Sequence, residues 1–153
     1  MSTLRLPYSQ LSPEAYKGLL ATKKALAGSS LGLPLIELVN LRISQINGCA
    51  FCLEMHAKAL RDGGTPEVKL DSLAGWRISA QFSEAERAAL AWAESLTDIA
   101  STHAPDEVFE PLKAHFSDAQ ISDLTFAISL MNAFNRLAIG TVSYTHLTLP
   151  TKA

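Results

Sequence analysis

The stretch "LPLIELVNLRISQINGCAFCLEMHAKALRDGG", Leu33 to Gly64, decides the fold and carries most of the chemistry of the chain. Both cysteines and one of the four histidines fall inside it. Pro34 opens a helix, because a proline in the first turn gives up an N–H that would have no partner anyway. That helix ends at Asn47-Gly48. A second helix then runs to Gly63-Gly64, a C-terminal stop, with Lys58 and Arg61 in the last turns where cations are favoured. Two apolar helices joined by a tight turn predict a helical hairpin.

The rest of the chain reads the same way. "LSPEAYKGLLATKKAL" opens with Ser12 as N-cap and Pro13 at the first helical position, and "GSSLG" breaks it. Thr65-Pro66 starts a short helix, "TPEVKLDSLAGW". "FSEAERAALAWAESLTDIA" carries a capping box, Ser83 with Glu86, and an apolar stripe of Ala89, Leu90, Ala93 and Leu96. Pro105 starts "PDEVFEPLKAHF", in which Pro111 kinks or splits the helix. A second capping box, Ser117 with Gln120, precedes "ISDLTFAISLMNAFNRLAIG". That segment is apolar on most sides, so it belongs in the core or between subunits. No segment reads as a strand or hairpin. The expectation is an all-α fold, one compact domain of six to eight helices over residues 1–141. From Val142, "VSYTHLTLPTKA" loses the helical period, and residues 142–153 are set apart as a tail of foreign character, His146 included.

Composition narrows the function. The 153 residues are 48% hydrophobic, enough for one core and for apolar surface at a subunit contact. The net charge is −2 with Lys and Arg scattered, so there is no basic stripe for nucleic acid. No apolar run approaches a membrane span, and "MSTLRLPYSQ" has no apolar signal core, so a cytoplasmic location is expected by default. In a reducing compartment a Cys-x-x-Cys pair reads as redox-active or metal-binding.

With a helix start at Asn47 or Gly48, Cys49, Cys52 and His56 fall on one side of the helix, at about 100° per residue. Cys52 and His56 are one turn apart, and such pairs touch. Cys49 and Cys52 are close enough for a disulfide if the first turn permits. A helix N-terminus favours negative charge and so lowers a thiol's pKa. On this geometry Cys52 is the nucleophile, His56 its base, and Cys49 the resolving thiol. Glu37 shares a polar face of the preceding helix with Asn40 and Ser44, and the hairpin brings it toward His56, which it could orient.

Glu37, eleven further residues, then Cys49-x-x-Cys52-x-x-x-His56 resembles the signature of the AhpD-like alkylhydroperoxidases within the carboxymuconolactone decarboxylase family. "WRIS", "FSEAERAALAWAESLT" and "ISLMNAFNRLAIG" extend the resemblance over Leu31 to Gly140. It implies an all-helical homo-oligomer, a trimer or hexamer. It implies that Cys52 attacks a hydroperoxide, that Cys49 condenses with the resulting sulfenic acid, and that Glu37 and His56 relay protons. No cofactor or metal is implied; the reductant would be a lipoyl or thioredoxin-type partner. One position departs: the best-known relatives have a second relay histidine just before the second cysteine, and this chain has Phe51. The decarboxylase branch lacks the cysteine pair, which argues against lactone decarboxylation.

Other readings stand beside this one. The cysteines could be inert buried side chains in a non-catalytic helical oligomer. A structural zinc site wants four ligands, and the chain offers one cysteine pair with His56 and Glu37 as third and fourth. The pair could also serve a thiol–disulfide oxidoreductase or redox sensor with weak peroxidase activity, a reading that Phe51 motivates. Asn132, Asn135 and Arg136 are read as inter-helix or inter-subunit hydrogen bonding. Trp76 and Trp92 are assigned to packing, and His103 and His115 to structure.

Overall fold

The computed structural model describes residues 4–142. Its long helices are α2 (Pro13–Ala27), α3 (Leu33–Asn47), α4 (Ala50–Asp62), α6 (Glu84–Thr97) and α9 (Asp118–Thr141). Single-turn pieces fill the intervals: α1 (Tyr8–Leu11), α5 (Glu67–Asp71), α7 (Ile99–Thr102) and α8 (Asp106–Phe109). Two 3₁₀ turns cover Leu73–Gly75 and Glu110–Ala114.

The all-α class expected from sequence is what the chain adopts. The described residues hold nine α-helical segments rather than six to eight: α1 forms ahead of the helices read from sequence, and two of those helices divide. Pro111 splits one of them into α8 and a 3₁₀ turn. Asp98 ends α6, and α7 follows as a separate turn. One isolated antiparallel bridge joins Leu4 to Val142, and Arg5 N–H donates to the Thr141 carbonyl. Val142 is therefore paired; the remainder of the tail, His146 with it, lies outside the described residues.

Both capping boxes form. Ser83 Oγ accepts from Glu86 N–H and Glu86 Oε1 from Ser83 N–H, and Ser117 and Gln120 repeat the exchange. Ser12 does not act as expected: its side chain makes no cap hydrogen bond, and α2 starts on Pro13 alone.

The centre of the fold is α3. It buries Ile36, Leu38, Val39, Leu41, Ile43 and Ser44, residues spread around its whole circumference. It packs against α4, α6 and α9 at once. One core cluster joins Val39 and Ile43 to Ala89, Leu124 and Ile128 from α6 and α9, and both cysteines belong to it. A second joins Leu38, Leu41, Leu60, Leu73 and Leu90 with Trp76. Helix α9 is buried along Ile121, Leu124, Ile128 and Met131, as its all-round apolar sequence predicts. Phe126 stays exposed on its outer side.

A polar knot ties α3 to α6. Glu94 accepts from Arg42 Nε at 2.9 Å, from Trp76 Nε1 at 2.8 Å and pairs with Arg77 at 2.7 Å. Burial alone would raise its pKa; the hydrogen bonds from Arg77, Trp76 and Arg42 outweigh that and hold the carboxyl below its ordinary value. Trp92 donates to Thr125 Oγ1 at 3.0 Å. Both tryptophans are thus buried packing residues with a satisfied N–H.

A carboxyl whose pKa is depressed on folding gives stability that is present above its unfolded pKa and lost as pH falls through the folded one. Glu94→Gln should therefore lower the unfolding free energy at pH 7 by about 1–3 kcal/mol. The gap to the parent chain should close as pH drops below the usual carboxylate range, as urea titrations across that range will report.

Candidate functional site

The site is built at the turn between α3 and α4. Gly48 takes φ +73°, a left-handed conformation that costs glycine nothing and other residues about 1 kcal/mol or more. The Ser44 carbonyl accepts from Gly48 N–H at 2.9 Å and from Cys49 N–H at 3.1 Å. The chain reverses there, and α4 begins at Ala50, two or three residues later than the sequence places it. Cys49 is consequently the N-cap rather than a helical residue, and its sulfur accepts from Cys52 N–H at 3.4 Å.

Cys49 and Cys52 are joined in a disulfide, with Cα atoms 5.3 Å apart. Both are buried, but in different company. Cys52 lines a cavity of about 290 Å³, while Cys49 faces only the core. His56, one turn after Cys52, lines the same cavity. Its Nδ1 lies 2.6 Å from Glu37 Oε2, so the hairpin brings together the acid and the imidazole that the sequence pairs. The His56 side chain is 6% exposed and that of Glu37 22%, so the contact is largely shielded from solvent. A carboxylate acceptor fixes the proton on Nδ1 and leaves the neutral ring's lone pair on Nε2. Nε2 is buried and has no hydrogen-bond partner among the described residues. A disulfide sulfur has no proton to share with it, so the Cys52–His56 pairing read from the sequence is not a hydrogen bond in this oxidised form.

The predicted polar face of α3 divides. Asn40 lines the cavity beside Glu37, whereas Ser44 is fully buried and turned to α9. There Ser44 Oγ accepts from Asn135 Nδ2 at 3.2 Å. Asn47 Nδ2 in turn donates to Asn135 Oδ1 and Asn132 Oδ1, both at 3.0 Å. Asn132 also donates to Thr97 Oγ1 at 3.1 Å. Asn132 and Asn135 are thus inter-helix hydrogen-bonding residues, as expected, and clamp the cysteine turn to α9. Arg136 is exposed and donates to Asn132 within its own helix. His103 ends α7 in a left-handed conformation and His115 follows the second 3₁₀ turn; neither lines the cavity.

Sequence spacing missed the rest of the cavity. Tyr8 from α1, Tyr16, Leu20 and Lys23 from α2, and Met131 and Phe134 from α9 complete its walls. They come from segments far apart in the chain, and no local pattern announces them. Phe51 and Met55 stand at its edge and are exposed, Phe51 at 69%. Among the described residues no group of three or more His, Cys, Asp or Glu side chains is placed to hold a metal ion. No helix among them is long and apolar enough to cross a membrane.

A cysteine pair at the head of a half-buried helix, inside an all-helical fold, resembles the AhpD-like proteins. The model of the carboxymuconolactone decarboxylase family matches residues 13–95, and the chain belongs to that family. The uncharacterized protein YdfG of Bacillus subtilis is 35% identical over 136 residues, which cover 89% of this chain and 92% of YdfG. A crystal structure from Agrobacterium tumefaciens, of a protein of unknown function provisionally described as the antioxidant defence protein AhpD, superposes with a TM-score of 0.86. It is 44% identical and the match covers 91% of this chain and 95% of that one. An uncharacterized peroxidase-related protein from Silicibacter is 25% identical, with a TM-score of 0.75 over 85% of this chain and 69% of its own. Family and cysteine pair together fit a peroxidase-type role.

The clamp has a measurable consequence. Asn135→Ala leaves Asn47 and Ser44 short of partners in a buried site, and should destabilise the chain by about 2–4 kcal/mol. Because the same clamp holds the cysteine turn, the disulfide of this variant should also be reduced faster by dithiothreitol, at denaturant-free conditions where both proteins remain folded.

Proposed function

We propose that the chain is a thiol peroxidase that reduces hydroperoxides through a Cys49–Cys52 dithiol/disulfide cycle. The observation that carries this reading is the unequal setting of the two sulfurs: Cys52 opens on the cavity beside the His56–Glu37 pair, and Cys49 lies behind it. In the reduced protein His56 Nε2 takes the Cys52 thiol proton, and the Cys52 thiolate attacks the terminal peroxide oxygen. An S–O bond forms, the O–O bond breaks, and the departing alkoxide takes a proton held by His56, giving an alcohol and the Cys52 sulfenic acid. The Cys49 thiol then attacks the sulfenic sulfur. The S–S bond forms, the S–O bond breaks, and hydroxide leaves with the Cys49 proton as water.

Two electrons return from an external dithiol of the lipoyl or thioredoxin type, oxidised in turn to its own disulfide. That dithiol must enter by the cavity and attack Cys52, since Cys49 has no face on it. Glu37 orients the His56 ring and keeps the lone pair at Nε2. The exposed apolar side chains around the cavity suit a homo-oligomer, a trimer or hexamer as in the family. We place the protein in the cytoplasm, where such reductants are found.

Phe51 favours a second reading. In place of a relay histidine it puts an exposed aromatic side chain next to Cys52, which suits docking of a partner disulfide and a thiol–disulfide exchange role.

Rapid mixing of the reduced protein with peroxide separates these readings. Cys52→Ser should abolish peroxide consumption, and undiminished turnover in that variant would end the peroxidase reading. Cys49→Ser should consume one equivalent and stop at a sulfenic acid, trapped and weighed by mass spectrometry. Glu37→Gln should slow the oxidation step by roughly ten- to a hundredfold while leaving the disulfide able to form. Faster reaction with a model disulfide than with any peroxide would favour the exchange role.

A further inference from the structure

The cavity is far larger than hydrogen peroxide needs. Its volume of about 290 Å³ is several times the roughly 30 Å³ that a water molecule occupies. Its floor is apolar, formed by α3 and α9 through residues such as Ile36 and Met131. Its two side walls are helices carried on different supports: α2 rests on α9, and α4 on α3. The α4 wall presents Cys52 and His56. The α2 wall presents Tyr16, Leu20 and Lys23.

The charges in this trough are unbalanced. Its one carboxylate, Glu37, is engaged by His56. Lys23 is its one cation besides that histidine, and it makes no ion pair or hydrogen bond among the described residues. Tyr8 Oη and Tyr16 Oη, which also line the trough, have no hydrogen-bond partner among the described residues and are further donors. Burial, and then the neighbouring Tyr16, raise the Tyr8 pKa, so its hydroxyl remains protonated. An apolar trough with the reacting sulfur on one wall and an unmatched cation on the other is complementary to an amphipathic anion.

We propose that the substrate is an amphipathic hydroperoxide bearing a carboxylate, its apolar body on the α3–α9 floor, its peroxide at Cys52 and its carboxylate at Lys23. This rests on the peroxidase reading and specifies its substrate class. The bond changes are those of the cycle above: the substrate O–O bond is reduced to an alcohol, and the carboxylate is untouched.

Two assays on the full chain test it. The first needs no turnover. Calorimetry compares dodecanoate with dodecanol, both below the concentration at which they self-associate. Dodecanoate should bind about three- to fivefold tighter, and Lys23→Met should erase that preference while Lys23→Arg keeps it. Affinity should also rise from octanoate to dodecanoate, by up to roughly fourfold per methylene. The second assay compares kcat/KM for a hydroperoxy-octadecadienoate with its methyl ester, where the acid should lead by a similar factor only when residue 23 is cationic.

Equal binding of acid and alcohol, or an acid-to-ester ratio near one in the parent chain, overturns the proposal. So does an affinity that ignores chain length, the result expected if a second copy of the chain fills the trough. Turnover of peroxide without charge preference sinks this inference alone. Lys23-dependent binding of dodecanoate without any peroxide turnover supports the anion site and sinks the peroxidase reading instead.

Discussion

Everything at the site hangs from the Ser44 carbonyl. A helix normally ends with carbonyls that lack partners, and here one of them accepts two successive N–H groups, Gly48 and Cys49. Those two bonds reverse the chain within two residues. They make Cys49 the last residue before α4 and leave Cys52 on its first turn. Gly48 supplies the positive φ that this reversal requires. With a longer connection, α4 would still pack on α3, but the cysteines would no longer sit at a fixed distance from Glu37, which lies two helical turns back along α3.

The turn is expensive to bury, and the surrounding polar groups offset that cost. Ser44 and Asn135 are fully buried, and an unpaired amide or hydroxyl there would cost about 1–3 kcal/mol each. Asn47, Asn132 and Asn135 satisfy one another across the α3–α9 interface. The same logic governs another polar contact of α3, where Arg42 meets Glu94. An otherwise apolar central helix thus has two polar attachments that fix its rotation and its height. Glu37 can meet His56 only because both coordinates are set. The Glu37–His56 contact is thus a product of the packing.

Much of this was legible before the fold was known, for identifiable reasons. Prolines at Pro13 and Pro34, the Ser83 and Ser117 capping boxes and the glycines at 48 and 63 act locally, so helix limits follow from residues a few positions apart. The site was legible for the same reason: Cys49, Cys52 and His56 share one helix start, and Glu37 is one tight turn away. The start of α4 was misplaced because glycine and asparagine are equally at home ending one helix or beginning the next. Ser12 looked like a cap by identity, but it also ends α1, donating its N–H to the Tyr8 carbonyl, and its ψ of 62° is far from the extended backbone of Ser83 and Ser117. The cavity was not legible at all. Its α2 wall packs on α9 and its α4 wall on α3, and such a juxtaposition is a property of the whole core.

The helix start also bears on which oxidation state the fold prefers. The first N–H groups of α4 have no partners inside the helix, and among the described residues the side-chain acceptor at that end is the Cys49 disulfide sulfur, 3.4 Å from Cys52 N–H. A neutral disulfide sulfur is a weak acceptor. On the cycle proposed above, reduction leaves the Cys49 thiol in that place and frees the Cys52 thiolate in the first turn of α4, where a charged sulfur gains from the helix dipole. On that cycle the scaffold would stabilise the reduced state selectively, making the disulfide a better oxidant than an unconstrained one. A pair poised this way gives up its disulfide readily to an incoming dithiol. That requirement falls on the protein side of the cycle, because the peroxide step is already driven by cleavage of a weak O–O bond.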